Sequence, residues 1–315
     1  MRFLRRRSWL LLGVGIVTTM AVAIPGTARA TTLNGEWAPF TRCPVTASSM
    51  LAADGTDIYD GCVDSASSSG SMTLGSSTVP LGTSDLQDGV LVNPSESGSS
   101  GLEWTTVDPS GGAIVAAPVS VPGGLLGLMC PADIILITPL CEEITDSTLN
   151  AVTASIVQVA PTEGFYLGAA LGAKHSIITI PVEIQLSNPI LGSDCSIGSA
   201  SDPIDLTITN TVAPPDYSLT YFDPDGTADP TNGVLASQVL SGAGQEDASF
   251  SVPGASGCGP LGIADPLLDL KEGIPGTGSL TLSNVVISSV FYADPSNYTP
   301  DEGQDFAAAY ESGES

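Results

Sequence analysis

The 315-residue chain carries 34 acidic residues against 8 basic ones, a formal net charge of −26 at pH 7. A surface of that sign repels nucleic-acid phosphates and anionic lipid headgroups, which argues against both as partners and for free solubility or cationic partners. Adaptation to a salty or acidic surrounding is the plainer reading of the same charge.

The first thirty residues read as an export signal. Arg2, Arg5, Arg6 and Arg7 form a positive segment, Trp9 to Ile24 is apolar, and Ala28-Arg29-Ala30 is a small-x-small cleavage pattern. The Arg6-Arg7-Ser8-Trp9-Leu10-Leu11 run also matches a twin-arginine signal, although disulfides form more readily in a chain exported unfolded. Without this segment only Arg42, Lys174 and Lys271 remain as basic residues, and no later run is apolar enough for a membrane span. The expected location is secreted, extracellular or at the cell surface. All six cysteines lie in the mature chain, which fits three disulfides. Neighbour pairing gives Cys43–Cys62, Cys130–Cys141 and Cys195–Cys258. A zinc site is the rival, weakened by the lack of a C-x₂-C pair and by a single histidine.

An N-terminal β region is expected over 31–122 and a C-terminal β-sandwich region over 123–295. Trp37 and Phe40 read as core anchors, and Ser48–Ala53 as one helical turn. Asp54, Asp57 and Asp60 lack the order of an EF-hand loop and read as a solvated turn. Ser65–Gly70 reads as a loop, with short strands at Met72–Leu74, Val90–Val92 and Ile114–Val121. Val121–Cys141 is the most apolar mature stretch. It reads as buried core or, from Leu125 to Leu140, as the wall of an apolar ligand pocket.

The clearest strands come next. Ile178, Ile180, Val182, Ile184 and Leu186 alternate with polar residues, as do Ile204, Leu206 and Ile208, so each run is a half-buried strand. His175, the only histidine, stands in no catalytic context and reads as a strand-end residue. Asp223, Asp225 and Asp229 are weak calcium candidates in a stretch whose Asp-Pro-Asp-Gly is also ordinary turn chemistry. Further strands are expected at Leu219–Phe222, Val234–Leu240, Ala248–Val252 and Leu280–Tyr292. Asp265-Pro266 to Gly273 is the clearest helix, with Asp265 as its cap and Gly273 as its stop. Residues 296–315 read as an acidic flexible tail.

VPGGLLGLMCP (121–131), IPVEIQLSNPILGSDCSIGSASDPI (180–204) and FSVPGASGCG (250–259), with GEWAPFTRCPV (35–45), resemble a group of secreted actinobacterial proteins of unknown function. The resemblance implies a high-GC Gram-positive source and an exported, disulfide-linked product. It carries no activity, cofactor or catalytic residue.

The expected fold is therefore all-β, with sandwich-like antiparallel sheets, one short helix and disulfide staples. No nucleophile elbow, S-x-x-K or H-E-x-x-H motif is present, which argues against an enzyme. The first functional expectation is a non-enzymatic structural or interaction protein without a cofactor. The alternatives are a carrier of an apolar small molecule between sheets and a carboxylate-dependent hydrolase. An apolar cavity favours the carrier, and two carboxylates ~5–10 Å apart favour the hydrolase.

Overall fold

The computed structural model describes residues 32–93, 103–129 and 148–314. Residues 1–30, read above as an export signal, and the expected Cys130–Cys141 pair lie outside the described residues. Fifteen strands join into one sheet, antiparallel throughout. In chain order they are β1 (Tyr59–Ser67), β2 (Ser69–Leu74), β3 (Ser77–Leu81), β4 (Ser84–Asn93), β5 (Glu103–Val107), β6 (Ile114–Ala116), β7 (Val119–Ser120), β8 (Thr153–Gln158), β9 (Ser176–Ser187), β10 (Ser196–Ile197), β11 (Ile204–Asn210), β12 (Asp216–Phe222), β13 (Leu235–Val252), β14 (Ala255–Ser256) and β15 (Gly276–Tyr292).

The two longest strands, β13 and β15, pair with each other and organise the rest. The runs expected at 234–240 and 248–252 are thus one strand of 18 residues. Its register shifts between Ser241 and Ala243, between Ala243 and Gln245, and between Asp247 and Phe250. Such bulges bend a strand and increase its twist. On one side of the bend, the 235–241 half of β13 pairs with β12 and the 286–290 part of β15 pairs with β1, which continues to β4 and β5. On the other side, β13 meets β11, and β15 meets β2. This second half curls through β11, β9, β8 and β7 in one direction and through β2 and β3 in the other, until β3 rests against β7. The expected two layers are thus arms of one curled sheet.

β9 and β11 behave as their alternation requires. Ile178, Ile180 and Val182 sit opposite Ile208, Leu206 and Ile204, and all six are buried. β7 is split from β6 at Ala117-Pro118, where proline cannot donate to a ladder. Ser65–Gly70 is not a loop: it spans the end of β1 and the start of β2. Residues 31–315 make one compact unit, and strands from before residue 122 share ladders with strands beyond it, so 122/123 does not separate two folding units.

Among the described residues four short α-helices decorate the sheet, where one was expected: α1 (Gly124–Met129), α2 (Leu167–Ala170), α3 (Asp265–Glu272) and α4 (Glu302–Ser312). α3 ends at Gly273 with a left-handed φ of 71°, as read from the sequence. Asp265 does not cap it. The cap position is Ala264, and the Asp265 carboxylate instead accepts the Cys258 N–H at 2.7 Å.

α4 overturns the tail. Its Phe306, Ala307, Ala309 and Tyr310 pack on Leu33, Trp37, Phe40, Phe222 and Leu235 as a second core beneath the β1–β15 half. Cys43–Cys62, with Cα atoms 5.9 Å apart, ties the N-terminal segment to β1 in this core. Cys195–Cys258, 4.2 Å between Cα atoms, closes a separation of 63 residues at the β10–β14 edge. Replacing both cysteines of the latter pair by serine is expected to lower unfolding free energy by about 2–4 kcal/mol in a urea titration.

Candidate ligand-binding site and the buried carboxyl pairs

The curled half of the sheet leaves an apolar chamber where side chains of its opposing arms fail to meet. Met72, Leu74, Val79 and Leu81 line it from β2 and β3, Ile156, Ile180, Ile184 and Leu206 from β8, β9 and β11, and Leu280 and Leu282 from β15. These residues come from strands as distant in sequence as β2 and β15, and the alternation of each strand supplies its inward face. The chamber is partly open and has a cavity volume of about 60 Å³. A smaller pocket of about 30 Å³ adjoins it and shares Ser65, Leu86, Ile208 and Gln245 with its lining. Leu125 and Leu128 do not line the chamber. They are buried in the main core, and the rest of the expected wall, 130–140, is outside the described residues.

A second feature sits on β1, β4 and their covering elements. Three carboxyl groups are buried beside a second carboxyl each: Asp60 with Glu302, Asp64 with Asp85, and Asp88 with Asp108. In each pair most donors fall on one member, although the Thr162 hydroxyl also reaches Asp88 at 3.3 Å. Glu302 accepts the Asp60 N–H with both oxygens at 3.3 Å. Asp85 receives Gln87 Nε2 at 3.0 Å and the Arg42 guanidinium at 3.3 Å. Asp108 receives Gln158 Nε2 at 2.6 Å and the Thr162 hydroxyl at 2.8 Å. Burial beside a second carboxyl disfavours the ionised form, so Asp60, Asp64 and Asp88 hold their protons in the fold. Burial, reinforced by the neighbouring carboxylate, pushes Asp60 and Asp64 far above the usual carboxylate range and Asp88 up to about 9. Both Asp60 oxygens and Asp88 Oδ1 are buried with no hydrogen-bond donor among the described residues. Asp60 is therefore a core residue, fully buried, and not part of a solvated turn.

The remaining sequence candidates stay apart. Asp225 accepts the Thr227 N–H at 2.9 Å, and Asp229 accepts those of Thr231 and Asn232, both at 2.9 Å. These backbone donors hold both carboxylates below their ordinary range. Asp223 contributes only backbone bonds, with Thr227 and Gly226. The loop docks on the N-terminal segment: Gly226 O accepts the Glu36 N–H, and a Cβ on Gly35, whose φ is +54°, would stand 1.9 Å from that oxygen. Among the described residues no group of three or more His, Cys, Asp or Glu side chains is placed to hold a metal ion. Among them, too, no helix is long and apolar enough to cross a membrane. His175 is exposed just before β9.

Neither the chamber nor the carboxyl pairs were found from sequence. The chamber needs β3 brought against β7, a contact without a local signal. The pairs carried one, since Asp60 and Asp64 interrupt an otherwise small and apolar run, but a buried acid resembles a surface acid in a lone sequence. No family model, curated protein or solved structure matches the chain.

Proposed function

We propose that this protein is an exported carrier that holds an apolar small molecule in the chamber formed by β2, β3, β8, β9, β11 and β15. The observation that supports this reading is a partly open space walled almost wholly by aliphatic side chains. Small-molecule sites are concave and apolar with a few placed polar groups. Leu74, Val79, Leu81, Ile156 and Leu282 remain partly exposed at this space, and a ligand that covers them adds burial. The small volume favours a slim chain over a ring system. The two disulfides and the signal-like N-terminus support export. No step of the reading uses a cofactor or a metal.

The test is direct. Native mass spectrometry of the protein from its own host should show added mass that organic extraction removes. In vitro, undecane should bind with 1:1 stoichiometry. Ile156→Trp, which fills the chamber from β8, is expected to weaken that binding at least tenfold while costing about 1–3 kcal/mol of stability. Binding unchanged in that variant would place the hydrocarbon elsewhere and remove the basis for a carrier.

A further inference from the structure

Of the polar residues in the wall, Ser65, Thr83, Ser84 and Gln245, only Gln245 is buried. Gln245 is 3 % exposed and lines both the chamber and the adjoining pocket. Its Oε1 accepts a hydrogen bond from Ser65 Oγ at 3.4 Å. Its Nε2 has no hydrogen-bond partner among the described residues. That donor is not sealed in protein but open to the chamber, so a ligand that displaces water there must offer it an acceptor. Gln245 lies next to the bulges at Ser241–Ala243 and Ala243–Gln245, where β13 bends, and bulges re-aim side chains beside binding sites. Glu246, the next residue, points the other way and pairs with Lys174 on the outside.

We propose that Gln245, steadied by Ser65, is the polar anchor of the chamber and that the ligand is a linear aliphatic chain bearing an uncharged oxygen acceptor such as an ester or ketone carbonyl. This rests on the carrier reading given above. The donor on Nε2 demands an acceptor. No basic side chain lines either pocket, so an ionised carboxylate head would be buried without a counter-charge, which is strongly disfavoured. The anchor stands where the two pockets meet, because both share Ser65, Leu86, Ile208 and Gln245. Hydrocarbon extends from the carbonyl into the larger chamber, and the smaller pocket accepts a short substituent on its other side.

Methyl decanoate, 2-undecanone and undecane provide the comparison, measured by equilibrium dialysis against the mature, oxidised protein. The expected result is that the two carbonyl compounds bind about tenfold tighter than undecane, the worth of one satisfied buried hydrogen bond. Gln245→Leu should abolish that preference and leave undecane binding at or above its wild-type level. In the wild-type protein the Gln245 side-chain amide protons should shift in the NMR spectrum with methyl decanoate and much less with undecane. That measurement stands whether or not the variant folds. Equal wild-type affinity for all three compounds overturns the anchor and leaves the carrier standing, as does a preference retained in Gln245→Leu. Binding of none of them removes the carrier reading itself. Decanoate ion bound as tightly as its methyl ester would also overturn the uncharged head.

Discussion

Trp37→Ala is expected to lower unfolding free energy by about 3–5 kcal/mol, enough to release α4 from the sheet at moderate urea. The indole is fully buried and forms the hub of the second core. It meets Phe222, Phe306 and Tyr310 edge-on, with ring centroids 5.4, 5.5 and 5.5 Å away, and Phe40 at 6.4 Å. Its Nε1 donates to Pro224 O at 2.9 Å, which ties the 223–229 turn into the same cluster. Truncation to alanine leaves a cavity walled by four rings from three separate segments, and these cannot all close it. The loss combines apolar transfer, aromatic geometry and a stranded carbonyl. Gly303→Ala provides an independent approach to the same contact. An added Cβ would lie 2.0 Å from Met50 O, so α4 must lift or the 47–53 turn must move. Limited proteolysis should cut both variants after residue 300 far faster than the wild type. Full protection in both would mean that α4 contributes little to the fold.

That helix shows where sequence reading fails here and why. EGQDFAAAYESGES has the acidity of a tail, and its only structural signal is the spacing of Phe306 and Tyr310. Their burial depends on Trp37, some 270 residues earlier, so no local window contains the reason for the helix. β1 failed in a different way. It is covered on both faces, so YDGCVDSAS shows no two-residue alternation, and its burial continues through Asp60 and Asp64. β9 and β11 were legible because in each an unbroken inward row of isoleucine, valine and leucine alternates with more polar outward residues, and because their ladder is local. Two disulfides were legible because neighbouring cysteines paired across short structural distances. The chamber and Gln245 belong with α4. A glutamine flanked by Gly244 and Glu246 looks like surface until the bulged strand turns it inward.

The buried carboxyl pairs lead to the second large effect: the protein should be most stable in mild acid and should weaken steadily toward pH 9. Asp60, Asp64 and Asp88 are protonated in the fold because burial and a neighbouring carboxylate disfavour their ionised forms. In the unfolded chain each titrates near ~3.9. Below that pH both states hold the proton, and the stabilising share of these groups is complete. As pH rises past it, the unfolded chain gives up protons that the fold retains, and stability falls until the folded groups ionise, near pH 9 for Asp88. The loss over that window is on the order of several kcal/mol, a fall of roughly 10 °C in Tm. Asp54, Asp225, Asp229 and Asp294 act in the opposite sense. Backbone N–H groups lower their values, so what they contribute is present above ~3.9 and lost in stronger acid, which gives the stability curve an acid limb as well. General repulsion among 34 acidic residues also relaxes in acid, and one substitution separates the two causes. Asp88→Asn keeps the shape and a donor toward Asp108 but cannot ionise, and it changes the surface charge very little because Asp88 is fully buried and neutral at pH 7. Its Tm should match the wild type at about pH 4 and exceed it by a margin that widens up to about pH 9. Parallel curves for the two proteins would assign the pH dependence to surface repulsion and leave the pairs without a role in it. A shallower curve for Asp88→Asn would mark buried protons as the means by which so acidic a chain holds together in acid.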